Sequence, residues 1–206
     1  MNLEIESQTK EYAKKMNEIS MSIQPMHEIF YYYSISYTAE CSVRAFAYYE
    51  YLLASENSSA IQLVGAVQEA ITHAGALAFY FWNNGSKRLP NEIQTFISQR
   101  SEYLKSEFNL NDNSALKDRR LRNTFEHFDE KLDIALLNTL AGTFYPMPII
   151  KSHKCIEEEQ VSKYFKLLDI EEKCLVLLNQ KFFFENIQKE VEKIYQFSLE
   201  KVKLRG

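Results

Sequence analysis

The sequence predicts a mainly α protein, a helical bundle of about five helices with a small β-hairpin near the C-terminus. Three observations predict it. Long stretches without Pro or Gly carry apolar residues at three- and four-residue spacing, the period of a helix with one buried face. Gly and Pro number only 5 and 4 in 206 residues, too few for a turn-rich sandwich. The stretch 164–179 differs, with two short apolar runs flanking a polar connector. A chain of this length suits a single domain, 1–206, with a substantial core.

Residues 1 to about 20 are polar and weakly periodic, the mark of a short helix or arm that ends before Pro25. Met26 to about Ser55 reads as one long helix, with Ile29, Tyr33, Tyr37, Cys41, Arg44/Ala45, Tyr48 and Leu52 at helical spacing. Tyr at that spacing points to core or interface packing, with base stacking by Tyr31-Tyr32-Tyr33 as the competing use. Glu56-Asn57-Ser58-Ser59 is a break and cap, after which Ala60 to Trp82 forms a strongly apolar helix. Small residues (Gly65, Ala66, Ala70, Ala74, Gly75, Ala78) line it and admit a close neighbour; His73 among them reads as a hydrogen-bonded core or interface histidine. Asn83-Asn84-Gly85-Ser86 stops it. A third helix starts near Pro90 and runs to about Phe108, with Ile93, Phe96, Ile97 and Leu104 on one side.

The central segment, Ala115 to Asn138, lacks Pro and Gly, and places Leu121, Phe125, Phe128, Leu132 and Leu136 on one stripe. The expectation is one amphipathic helix capped by Asn113 or Ser114 and closed by Gly142. Asn123 and His127 are four apart, on a face turned away from that stripe, where a histidine serving only as filler does not belong. Arg122 sits at the stripe's edge. Its base points away from His127, so joint action calls for a long reach or a second copy of the helix. Pro146-Met147-Pro148 then forces an extended crossover. Tyr164–Asp169 and Cys174–Asn179 suggest a β-hairpin within an appendage over roughly 160–180, although Leu and Glu keep helix in contention. Glu185 to Lys203 is a last helix, with Ile187, Val191, Ile194, Tyr195 and Leu199 inward.

The segment Arg122-Asn123-Thr124-Phe125-Glu126-His127 resembles the R-N-x-x-x-H form of the R-x(4–6)-H motif of HEPN domains, all-helical domains of prokaryotic toxin, defence and RNA-processing proteins. The resemblance implies a metal-independent RNA-cleaving site made by Arg122, Asn123 and His127, assembled where two protomers meet. That implies a homodimer through the helix 115–138. In this scheme His127 exchanges a proton with the ribose 2′-hydroxyl or the leaving 5′-oxygen, Arg122 stabilises the crowded phosphate, and Asn123 orients either group. Lys117, Arg119 and Arg120 would hold flanking phosphates without reading sequence. The wider string RNTFEHFDEKLD is also similar to bacterial proteins with no assigned activity. One departure matters. The toxin branch paired with nucleotidyltransferase antitoxins carries Tyr two positions after the His, where this chain has Asp129. A protein partner or another antitoxin stays open.

Formal charge is −4, which excludes a general polyanion binder and makes any RNA contact local. Lys117 to Arg122 offers four cations against one carboxylate, but Glu126, Asp129, Glu130 and Asp133 follow; without the motif, a solvated charged face is the simpler reading. Cys41, Cys155 and Cys174 are odd in number and widely spaced, which suggests a reducing compartment. With no secretory h-region near Met1 and no uninterrupted apolar span, the expected location is cytoplasmic, without a membrane role. The chain has no phosphate-binding glycine loop, no dinucleotide fingerprint and no H-E-x-x-H, so the expectation is neither cofactor nor metal. The second reading, of another class, is a non-catalytic HEPN-like helical dimer that binds RNA, nucleotide or a protein partner.

Overall fold

The computed structural model describes residues 3–83, 87–118, 120, 123, 127–139, 141–159 and 161–205, with the backbone alone for 3–6 and 205. It is mainly α, as the spacing predicts, with a few strands toward the C-terminus.

Helix α1 (Leu3–Glu18) is a full helix rather than a short arm, and it lies on α4 (Asn91–Glu107) with Ala13 and Met16 buried. Asn17 Nδ2 donates to the Glu92 carbonyl at 2.9 Å. Helices α2 (Pro25–Leu53) and α3 (Ala60–Phe81) form the main antiparallel pair. Pro25 opens α2 where its missing N–H costs nothing. Ser59 caps α3 in a reciprocal box with Gln62. The small residues of α3 admit a close neighbour, as their spacing predicts. Ala66, Ala70, Ala74 and Ala78 are buried, and Ser42 Oγ reaches the Ala70 carbonyl at 2.8 Å.

On α2 the face is the reverse of the simplest expectation. Tyr32, Ile35, Ala39, Phe46 and Tyr49 face the core, whereas Tyr33, Tyr37 and Tyr48 face solvent. The helix is apolar all round, so periodicity alone does not tell its inner face from its outer one.

The predicted single helix over 115–138 is broken. Ala115–Lys117 is a 3-10 turn capped by Ser114 Oγ, which accepts from Leu116 N at 3.2 Å. Asp118 follows in extended conformation (φ −74°, ψ 104°), and its carboxylate accepts the Arg120 N–H at 3.0 Å. That local bond lets Asp118 act as a cap inside the predicted helix, the habit that makes Asp a poor helix-interior residue. Arg120 and Asn123 have helical backbone. His127 (φ −120°, ψ 37°) then stands at the start of α5 (Phe128–Leu137), which buries no residue. Of the predicted stripe, Leu121 and Phe125 lie outside the described residues, Phe128 and Leu132 are half-buried, and Leu136 is exposed.

After α5, Gly142 turns the chain into six strands: β1 (Thr143–Tyr145), β2 (Ile149–Ile150), β3 (Ser162–Tyr164), β4 (Lys166–Asp169), β5 (Cys174–Leu177) and β6 (Gln180–Phe183). The four-residue helix α6 (Cys155–Glu158) lies between β2 and β3. β1 pairs with β3 in parallel, and the other sheet runs β2-β4-β5-β6. β4 and β5 form the predicted hairpin, with Asp169 opposite Cys174.

The strands are no appendage. Leu168, Leu175, Leu177 and Phe182 share a core with Phe46, Tyr49 and Val67, while Leu167, Cys174 and Val176 pack with Cys155 and Tyr164 on the other face. A sheet covered on both sides explains why Cys174-Leu-Val-Leu177 is apolar without alternation. Helix α7 (Glu185–Arg205) closes the bundle against α2, with Val191 and Ile194 buried as the spacing predicts.

Candidate functional site

Asn123 and His127 are one helical turn apart, and the His127 N–H donates to the Asn123 carbonyl at 3.2 Å. The His127 carbonyl in turn accepts from Lys131 N at 3.1 Å, so the histidine joins the end of one helical turn to the start of α5. Its side chain is 59% exposed, with Nδ1 3.9 Å from Glu130 Oε2. Asp129 and Glu130 occupy the first turn of α5, where carboxylates complement the unpaired N–H groups. Below the histidine, Phe128 anchors the helix by an edge contact with Phe165 at 5.3 Å, under the ammonium of Lys166.

Arg119 and Arg122 lie outside the described residues, as does Glu126. The other predicted cations are engaged by nearby acids. Lys117 Nζ meets Asp112 Oδ1 at 3.0 Å. Arg120 forms a forked pair with Asp118, with Nε 2.9 Å and Nη2 2.5 Å from Oδ2. The hydrogen bond to Arg120 holds the Asp118 carboxyl below its ordinary range, even though partial burial pushes the other way. These pairings bear on phosphate binding, since each cation must leave or share a carboxylate before it can neutralise a phosphate. Both pairs are largely exposed, where such exchange costs little.

Three further polar groupings went unread in the sequence. His153, far from any motif, has Nδ1 2.7 Å from the buried Asp169. Glu159 collects Lys151, Ser162 Oγ at 3.1 Å and the Tyr164 hydroxyl at 2.6 Å. These hydrogen bonds, the one from Lys151 foremost, pull the Glu159 carboxyl down to about 2. A cleft of about 430 Å³ lies between α2 and α3, lined by Cys41, Arg44, Tyr48, Glu69 and His73. The i,i+4 pair Glu69/His73 is the one signal that marked it in the sequence, and Arg44 lines the same cleft from α2. Among the described residues, no three of His, Cys, Asp and Glu gather as they would around a metal ion.

The fold and these groupings describe a mainly α protein with a small β region, and no described helix is long and apolar enough to cross a membrane. No family model, no curated protein and no solved structure matches the chain.

Proposed function

We propose that the chain is a metal-independent endoribonuclease of HEPN type, acting in the cytoplasm as a toxin or defence effector. The observation that supports this reading best is His127: a solvent-facing imidazole one helical turn from Asn123, in the order that the resembling string requires. In this reading the ribose 2′-oxygen attacks phosphorus and the 5′-oxygen leaves. His127 takes the proton from the first or returns one to the second. Arg122 neutralises the phosphoryl oxygens through its planar fork, and Asn123 orients the imidazole. Lys117, Arg119 and Arg120 hold the flanking backbone. Single-stranded RNA is the substrate class, because its backbone can reach in-line geometry.

The second reading is a non-catalytic HEPN-like helical dimer that binds RNA, nucleotide or a protein partner; of these, a protein partner is the one that needs no phosphate to displace the carboxylates on Lys117 and Arg120.

Cleavage of a labelled, unstructured RNA in EDTA by the parent, His127→Ala and Arg122→Ala separates the two. Cutting that survives EDTA, leaves a 2′,3′-cyclic phosphate and vanishes in both variants is the expected result. No cutting by the parent favours the binding reading. Cutting that EDTA abolishes overturns the metal-free mechanism.

A further inference from the structure

The outer face of α2 carries Met26, Phe30, Tyr33, Tyr37, Tyr48 and Tyr51, between 49% and 71% exposed. At about 100° per residue, these side chains fall within a sector less than about 100° wide, turned away from the buried Tyr32, Ile35, Ala39 and Phe46, with Tyr48 at its edge bordering the cleft toward Glu69 and His73 of α3. Their spacing alternates between four and three through the first half of the helix, the pattern of a seam between two helices. Six large apolar or aromatic side chains in line on one helix exceed the scattered exposure usual for a monomer.

The four tyrosines of the stripe are also symmetric about a common point, which Met26 and Phe30 lie beyond. Tyr33 and Tyr51 lie equally far from position 42, and Tyr37 and Tyr48 nearly so. Glu40 and Arg44 flank that point on the same face, with opposite charges. Among the described residues neither has an ion-pair partner within its own chain.

We infer that α2 is the contact face of a homodimer, in which two copies lie antiparallel about a two-fold axis at the level of residue 42. In that register Glu40 of each copy faces Arg44 of the other, and the tyrosines meet in pairs across the axis, as an isologous interface demands. Area agrees. With roughly 150–250 Å² per whole aromatic side chain, the exposed parts of the five aromatics come to about 600 Å² per copy, or about 1,200 Å² for two. That reaches the lower bound of roughly 1,200 Å² for specific interfaces before Glu40, Arg44 and Met26 are counted. Tyr suits such a seam, because its ring packs while its hydroxyl stays at the wet rim. The inference does not rest on the nuclease reading, since mass and cleavage are read separately.

The test is sedimentation equilibrium of the full chain at micromolar to tens of micromolar concentration, with Glu40→Arg, Arg44→Glu and the double reversal. The parent should run at twice the chain's 24.2 kDa. Each single reversal sets like charges opposite one another twice, and should weaken association by about ten-fold or more; the double should recover to within about three-fold. Tyr37→Ser with Tyr48→Ser should also dissociate the dimer while the circular dichroism melt holds. A monomeric parent overturns the inference. So does a dimer that neither the reversals nor the tyrosine pair disturb, because its contact then lies on another face.

Discussion

The carboxylate of Asp169 binds His153 twice: Oδ2 lies 2.7 Å from the imidazole Nδ1 and accepts the His153 backbone N–H at 2.8 Å. Its Oδ1 accepts the Glu172 N–H at 3.1 Å and so closes the β4–β5 turn. Burial pushes the Asp169 carboxyl up, but the two backbone donors and the imidazole outweigh it and hold the group below its ordinary value. A carboxyl depressed in the folded state stabilises the protein above its unfolded value, about 3.9, and that contribution is lost as pH falls through the folded value. Asp169→Ala should therefore cost about 2–4 kcal/mol at neutral pH, with three donors left unpartnered. The loss should shrink at acid pH, below the unfolded value of about 3.9. Urea unfolding at both pH values measures it, and an equal loss at both would show that the carboxylate's charge plays no part.

Gly142 has a φ of +141°, and a Cβ there would stand 2.3 Å from the Val161 carbonyl oxygen. The same oxygen accepts the Thr143 N–H at 3.1 Å, so the close approach is what lets β1 reach β3. Gly142→Ala should destabilise the chain by about 2 kcal/mol or more, with exchange of the β1 and β3 amides accelerated ahead of those in β4 and β5. Protection lost evenly across both sheets would contradict this.

Two buried tyrosines should respond with opposite sign to loss of the hydroxyl. The Tyr49 hydroxyl is buried with no hydrogen-bond partner among the described residues, and burial, with the nearby Glu50 and Asp169 charges, pushes it up to about 12. Tyr49→Phe should leave stability unchanged or raise it by up to about 1 kcal/mol. The Tyr164 hydroxyl donates to Glu159, and Tyr164→Phe should cost about 1–2 kcal/mol. Thermal melts of the two variants decide; a loss at Tyr49 matching that at Tyr164 would mean that its hydroxyl is solvated.

Asp118 holds Arg120 in a forked ion pair. On the nuclease or RNA-binding reading, Asp118→Asn should tighten binding of single-stranded RNA and steepen its dependence on salt by about 0.7 in log–log slope, the share of one added phosphate contact. Fluorescence anisotropy at several salt concentrations measures the slope. An unchanged slope would remove Arg120 from the RNA path.

The sequence made the helices and their ends legible wherever punctuation was local. Ser59 with Gln62, Pro25, and the turn 170–173 each act within a few residues of themselves. Asp118 shows where such reading stops: apolar spacing ran straight through it, and a carboxylate two residues before an arginine amide ended the helix. The orientation of α2 was hidden for another reason, since both its faces are apolar and the choice belongs to α3 and α7. Strands β1, β2 and β3 are two or three residues long, too short to show a period. Of the candidate site, the relation of Asn123 to His127 was legible because it is a single turn. The carboxylates that hold Lys117 and Arg120 and the pairing of His153 with Asp169 depend on loop paths that no spacing rule encodes.

The packing of α7 on α2 joins the first third of the chain to its last helix. During synthesis, Phe46 and Tyr49 leave the ribosome well before Phe184, the ring that both of them contact. At roughly 5–20 residues per second, that interval is on the order of ten seconds, during which an apolar helix awaits its cover. A nascent chain stalled ahead of residue 185 should therefore stay sensitive to protease and attract chaperones. The same chain released with α7 should become resistant in one cooperative step.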